Sequence, residues 1–311
     1  MTELRKLSAL VGRNTKSYFK DKFLFFTSML TPLILLVLFF AFLRNIYLDS
    51  FKAAFPPDFT IDSKMLNGIA GAWLLSSVLS VSSVTVAFCA NMVMVDDKIN
   101  SSINDFKVAP VKPATISLSY FVSNFFVLSL VIFSVLAVGC IYLAIVGWYI
   151  SASDFFLIVL SCLCNILFGT LLACIVLNFV KSQGMQSAIA TLISALYGFI
   201  SGAYMPISSF GEGLRNFLGL LPGTYGVAMM RNHCMNGYLK AFADAGVPIE
   251  GINAIKDGFD INVYVFNNSV PLGAMYGILL GTCAVLLVVY IAIVVLQSKN
   301  ISFKMLKKNS K

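Results

Sequence analysis

Chemistry needs groups that titrate, ligate or attack, and this chain scatters the few it has. His233 is the only histidine, two residues after Arg231. A general base needs a nucleophile or acid within reach, and no such set stands nearby. His233 and Arg231 therefore fit the outer surface, as interfacial residues. Seven cysteines occur, at 89, 140, 162, 164, 174, 234 and 283. All but Cys234 fall inside apolar runs, and none has metal-ligand or disulfide spacing. Cys162 and Cys164 point to different faces of a helix and act as small core residues. Asp257 and Asp260 are the only loose candidates for an enzyme's acids, and solvated charge explains them better. The chain has no Gly-x-x-x-x-Gly-Lys-Ser/Thr, so nothing cradles nucleotide phosphates.

Composition says where such a chain lives. Hydrophobic residues make up 59% and charged residues 12% of its 311 positions, against about 25% charged in a soluble domain. It is an integral membrane protein, all-α, with six transmembrane helices expected. The apolar runs are Phe23–Leu43, Gly68–Val95, Thr115–Tyr149, Phe155–Val180, Met185–Tyr204 and Pro271–Gln297. Pro32 lies inside the first, and the third is long enough to tilt. Polar loops are expected at Arg44–Asn67 and Asn236–Asn268, outside. None of the six runs holds an ionisable Asp, Glu, Lys, Arg or His. A proton-coupled pump places such groups in the membrane, so the runs argue against proton coupling. A sodium site built from carbonyls and hydroxyls stays open, as does facilitated transport.

Residues 1–22 carry Arg5, Lys6, Arg13, Lys16, Lys20 and Lys22, with Leu4, Leu7, Val11, Tyr18 and Phe19 near helical spacing. They predict an amphipathic helix on the cytoplasmic surface, or a basic anchor that only sets topology. No cleavable signal peptide precedes the first apolar run. Most cations fall in this segment, around Lys98, Lys107, Lys112 and Lys181, and in the basic tail. Positive-inside bias then puts both termini in the cytoplasm, residues 23–311 forming one six-helix transmembrane domain of a multi-pass cell-membrane protein. The net charge of +8 suits an anionic leaflet and calls for no nucleic acid.

Three stretches carry mechanism. In the inner loop Asp96–Ala114, Ile99, Ile103 and Phe106 share one face of a short helix beside Asp97, Asn104 and Asp105, and Pro110 ends it. A solvated connector would look the same. In the second run, Ser76, Ser80, Ser83, Ala87 and Asn91 line one face. In the fifth, Ser187, Thr191, Ser194, Gly198 and Gly202 repeat those offsets. Such stripes form a mildly polar path or let helices pack closely. After the fifth run, Gly202 and Pro206 stop the helix. Leu214–Leu221 and Tyr225–Met235 follow, joined by Pro222-Gly223. Each is too short to cross alone, which predicts a re-entrant hairpin dipping into the outer face between helices five and six, within an outer region 205–270, or a pair of helices lying flat on it.

Gly202, Pro206, Leu221-Pro222, Tyr225 and Arg231 resemble the pattern after the fifth helix in permease subunits of type-2 class ABC exporters. The Asp97–Pro113 loop is similar to that family's coupling helix, with Asp96-Asp97-Lys98 where the family has Glu-Arg-Glu. The resemblance implies an exporter half that dimerises with itself or a similar permease in the lipid bilayer. Its partner is a separate ABC ATPase subunit, which holds the ATP and Mg; this chain holds no cofactor and no metal. It further implies that Asp97, Ile99, Ile103, Asn104, Asp105 and Phe106 face the ATPase. Ser76, Ser80, Ser83, Asn91, Ser187, Thr191 and Ser194 would line the substrate path, and Gly202, Pro206, Pro222, Tyr225 and Arg231 the outer gate. The cargo it implies is amphipathic: drug, peptide, lipid or glycan.

Overall fold

The computed structural model describes residues 2–53, 62–100, 102, 106 and 111–309, with the backbone alone for 298–309. Helix α1 (Glu3–Lys20) is amphipathic, as the spacing predicts. Asp21 then accepts from the Leu24 amide at 3.0 Å and caps α2 (Lys22–Leu38). A π-helical turn, Phe39–Leu43, leads without a break into α3 (Arg44–Ala53). The expected loop from Arg44 is therefore helical for its first ten residues. The reason is tertiary: Tyr47 and Phe51 are buried against Phe259, the Phe51 ring stacked on it at 4.1 Å.

Helix α4 (Ser63–Ala90) is the hub, and α5 (Met92–Ile99) continues from its end. Around α4 pack α2, α6 (Pro113–Val146), α7 (Ala152–Asn178), α8 (Gln183–Ile200) and α10 (Pro222–Asp244). Small residues on α4 allow the close approach. At Gly169 of α7, an added Cβ would stand 2.0 Å from the Ser83 carbonyl oxygen, so the two backbones nearly touch there. α12 (Leu272–Asn309) packs on α6, α7 and α10. The peripheral helices turn large apolar side chains outward, among them Phe26, Val37, Val138, Ile145, Val285 and Val288. Lipid is the solvent that such a surface needs.

Among the described residues, five helices are long and apolar enough to cross a membrane: 22–53, 63–99, 113–146, 152–178 and 272–297. The expected fifth run is the 18-residue α8, which is not among them. The hairpin also differs from expectation. Its first arm is the eight-residue α9 (Glu212–Gly219). Its second arm, α10, has 23 residues and runs on to Asp244, about 35 Å at 1.5 Å per residue. It lies against α4, α7 and α12 instead of turning back at Met235. The polar stretch after it is ordered as α11 (Ile249–Gly258) and a small antiparallel pair, β1 (Val263–Val265) and β2 (Asn268–Val270), in the register Val263 to Val270. Among the described residues the fold is thus helical apart from that β-hairpin. α9, α11 and the strands form a cap at one end of the bundle; α1 and α5 mark the other.

Candidate transmission and cap sites

At the α5 end, one short helix is tied to four others. Arg13 of α1 forms a two-pronged ion pair with Asp97, through Nη1 to Oδ2 and through Nη2 to Oδ1 at 2.6 Å. The Tyr120 hydroxyl of α6 donates to the same Oδ2 at 2.6 Å. Asn14 donates to Ser119 at 3.3 Å, so α1 is pinned along α6 as well. Gln186 of α8 donates to Asp96 at 3.0 Å. Lys98 reaches the C-terminal carbonyls of α7, Leu177 at 3.3 Å and Asn178 at 2.9 Å, where a helix end favours a cation. The bonds to Asp97 raise the already high pKa of Arg13, so its guanidinium stays charged.

Of the residues expected to face the ATPase, Asp97 is buried and bonded to Arg13 and Tyr120, so it ties the base of the bundle together. Ile99 is half-buried against the core. Phe106 is also half-buried, with the Arg13 guanidinium 5.4 Å above its ring. Ile103, Asn104 and Asp105 lie outside the described residues. Arg13, Tyr120 and Gln186 escape sequence reasoning, because their partners sit 23 to 90 residues away with no local signal.

The two stripes part company. Ser76, Ser80, Ser83 and Asn91 are all buried inside this one chain. The serine hydroxyls donate to α4's own carbonyls: Ser76 to Trp73 at 2.6 Å, Ser80 to Ser76 at 2.8 Å and Ser83 to Ser80 at 2.7 Å. In this conformation that stripe packs against the neighbouring helices. On α8, Ser187 and Thr191 are exposed and Ser194 is half-buried, among exposed Leu192, Leu196 and Phe199. At the cap end of that open face, a largely apolar groove of about 770 Å³ separates α8 from α2 and α3. Phe42, Ile46, Phe199, Tyr204 and Pro206 line it.

At the cap end, Arg231 is the surprise. It is wholly buried, where the sequence places it at an outer surface. Nη1 donates to the Phe259 carbonyl at 3.2 Å and to Asp260 at 3.1 Å; Nη2 donates to Gly202 at 2.6 Å and to Ser77 at 3.3 Å. The guanidinium also sits 5.0 Å over the Trp73 ring. Asp260, expected to be solvated, is buried too. It accepts from the Ile207 amide at 2.5 Å and the Ser208 amide at 3.0 Å, capping the 3₁₀ turn that follows Pro206. Burial pushes its carboxyl up, while Arg231 and the two amides pull it back.

Gly202 belongs to this knot. Its φ is +77°, and a Cβ there would meet Ile207 Cγ2 at 2.8 Å. Pro222 opens α10 at its first turn. Tyr225 donates to the Gly219 carbonyl at 2.5 Å and holds α9 against α10. Of the five expected gate residues, Gly202 and Arg231 are bonded to each other and Pro206 precedes the turn that Asp260 caps, while Pro222 and Tyr225 lie apart at the α9–α10 turn. His233 is likewise interior: Nε2 meets the Tyr276 hydroxyl at 2.8 Å, and that hydroxyl meets Ser161 at 2.7 Å. The helical core therefore holds ionisable groups, carried on α10 and invisible in the six apolar runs.

An amphipathic helix beside the first span, a short linked helix after the second and a proline-bounded turn system after α8 agree with what a family model finds. That model, described as ABC-2 type transporter, matches residues 5–234. The chain belongs to the ABC-2 type transporter family. It is a multi-pass membrane permease subunit, and such a permease domain has no nucleotide site of its own and pairs with an ABC ATPase. The matched residues take in the α5 junction and end just after Arg231, short of its partners Phe259 and Asp260. No curated protein matches the chain.

Proposed function

We propose that this permease is the membrane half of an ATP-driven exporter in the cell membrane. It pairs with a second copy or a similar permease, both termini are cytoplasmic, and an amphipathic cargo moves outward. The observation that carries the reading is the junction at α5. A push on the segment after Ile99 reaches α1 through Asp97, α6 through Tyr120, α7 through Lys98 and α8 through Asp96. A short lever bonded to four helices is what a motor outside the membrane needs. ATP and Mg bind in the separate ATPase; closure of its subunits moves the lever.

The cap knot supplies the opposite end of the stroke. Arg231 ties α4, the end of α8 and the turn before β1 into one unit, so α8 can swing against α4 only if that unit moves or opens. The groove beside Pro206 is largely apolar and takes in Ser50 and Ser209, a lining that suits amphipathic cargo. Reconstitution with the ATPase in liposomes tests the reading. Outward cargo movement should require ATP, and cargo should stimulate hydrolysis. Transport by this chain alone in ATPase-free vesicles would overturn it and favour a sodium-coupled or facilitative carrier.

A further inference from the structure

A second recess, of about 720 Å³, lies in the spanning part of the bundle and shares no lining residue with the cap-end groove or with either site above. α2 and α6 form its walls and α4 its floor. Leu74, Leu75 and Val78 of α4 are buried in the bundle yet line it, while Phe26, Leu33 and Val138 stand exposed on the walls. Gly139 lets α6 settle against Leu75, whose Cδ1 an added Cβ would meet at 2.2 Å. At the far end Phe40 meets Tyr142 edge-to-face, ring centroids 6.0 Å apart, and bridges the two walls. At the near end stand Phe19 of α1 and Phe25 of α2, 6.1 Å apart. From Phe25 to Phe40 the helix rises about 22 Å at 1.5 Å per residue, more than the ~15 Å of one leaflet's hydrocarbon. Ser134 and Tyr142 bring the recess its only hydroxyls, and Ser134 donates to the Leu130 carbonyl at 2.7 Å. Such a lining takes a hydrocarbon chain and gives little hold to a polar group.

Charge at the near end says what that chain belongs to. Lys22, Phe26, Met29, Leu33 and Leu36 share one face of α2, and the last four line the recess. Lys22 therefore heads the stripe. Helical side chains lean toward the N-terminus, so its ammonium extends beyond Phe26 toward headgroup level. Lys20, next to Phe19, and Lys16, one turn earlier, line an open depression on α1. All three lysines are exposed, and no salt bridge among the described residues includes them. Arg13, in the same depression, is taken by Asp97. Asp21, between Lys20 and Lys22, spends Oδ1 on the Leu24 amide. The elbow between α1 and α2 is thus net positive, and a flexible ammonium suits a phosphate. We infer that the recess holds one acyl chain of an anionic phospholipid, its phosphate on Lys22 and Lys20 and its chain between Phe26, Leu33 and Val138 over the α4 floor. The site stands on the recess and the lysines; only the leaflet, the inner one, rests on the orientation proposed above. A lipid held here would steady α1, the helix that carries Arg13 to Asp97.

The test uses the full chain in nanodiscs made from equal parts of phosphatidylglycerol and phosphatidylcholine, followed by native mass spectrometry of retained lipid. The wild type should keep phosphatidylglycerol in preference. Lys22→Gln should lower that preference about fivefold, the upper worth of an exposed ion pair. Ser134→Trp, at an exposed position on the α6 wall, should fill the recess and remove retained lipid of both kinds, with a wild-type size-exclusion profile. A preference that survives Lys22→Gln, or unchanged retention in Ser134→Trp, would overturn the site. If Ser134→Trp instead splits a dimer at an unchanged lipid count, the recess belongs to a second copy and the proposal falls. Displacement by soluble glycerol phosphate as effective as by the lipid would also overturn it, since the acyl contacts would then be idle. Ser8→Cys on exposed α1 surface, treated with an impermeant thiol reagent in sealed cells, reports the leaflet separately. It should label only after permeabilisation; earlier labelling would overturn the inner-leaflet assignment and the orientation, while the lipid preference stands.

Discussion

Asp260→Asn is the sharpest test of the cap knot. The substitution keeps size and one carbonyl oxygen but removes the charge. Arg231 then stays buried with three neutral acceptors, Phe259, Gly202 and Ser77, and no counter-ion. Breaking a fully buried pair from one side costs about 3–5 kcal/mol, because the remaining ion is desolvated without compensation. The net worth of the intact pair is smaller, so removing both charges should hurt less than the single changes predict. Arg231→Met with Asp260→Asn should show coupling of at least about 1 kcal/mol in a double-mutant cycle. Equilibrium unfolding of the purified chain in mixed micelles, followed by far-UV circular dichroism, gives all four free energies. If Asp260→Asn lies within about 0.5 kcal/mol of the wild type, as a surface change would, the knot does not hold the cap. Strict additivity would equally refute a direct pairing.

Other outcomes follow from the same geometry. Gly202→Ala should destabilise the chain by about 1–2 kcal/mol, read in the same unfolding assay, because a left-handed residue gains a Cβ beside Ile207. Ser80→Trp should abolish folded protein on size-exclusion chromatography, since Ser80 is buried inside α4's packing. Thr191→Trp, on the open face of α8, should leave the fold within about 0.5 kcal/mol of the wild type while export falls; normal export would remove α8 from the path. Phe106→Asp should leave ATP hydrolysis running while cargo transport stops, and unchanged export would contradict a lever role for that segment.

Much was legible in the sequence because it depends on local chemistry. Membrane residence follows from the scarcity of charge. The basic amphipathic helix follows from spacing, and the lack of a phosphate-binding loop from a missing motif. Gly202, Pro206 and Pro222 do mark turns, since a left-handed glycine and a proline act on their own backbone. Each of these needs only a window of neighbouring residues. Periodicity also found the two polar stripes and showed which helix face holds them.

Only the tertiary structure decided what covers each face. The α4 stripe and the α8 stripe have the same offsets, yet one is buried and the other is largely open. The same limit hid the charges. Asp97 meets Arg13 across 84 residues and Arg231 meets Asp260 across 29, distances at which no pattern links the partners. A charge in a polar stretch looks solvated until the chain folds over it, and burial changes it from an exposed label into a tether. The length of α10 was hidden for a related reason: its polar residues find partners inside the bundle, so helix continues where hydropathy alone predicts a loop.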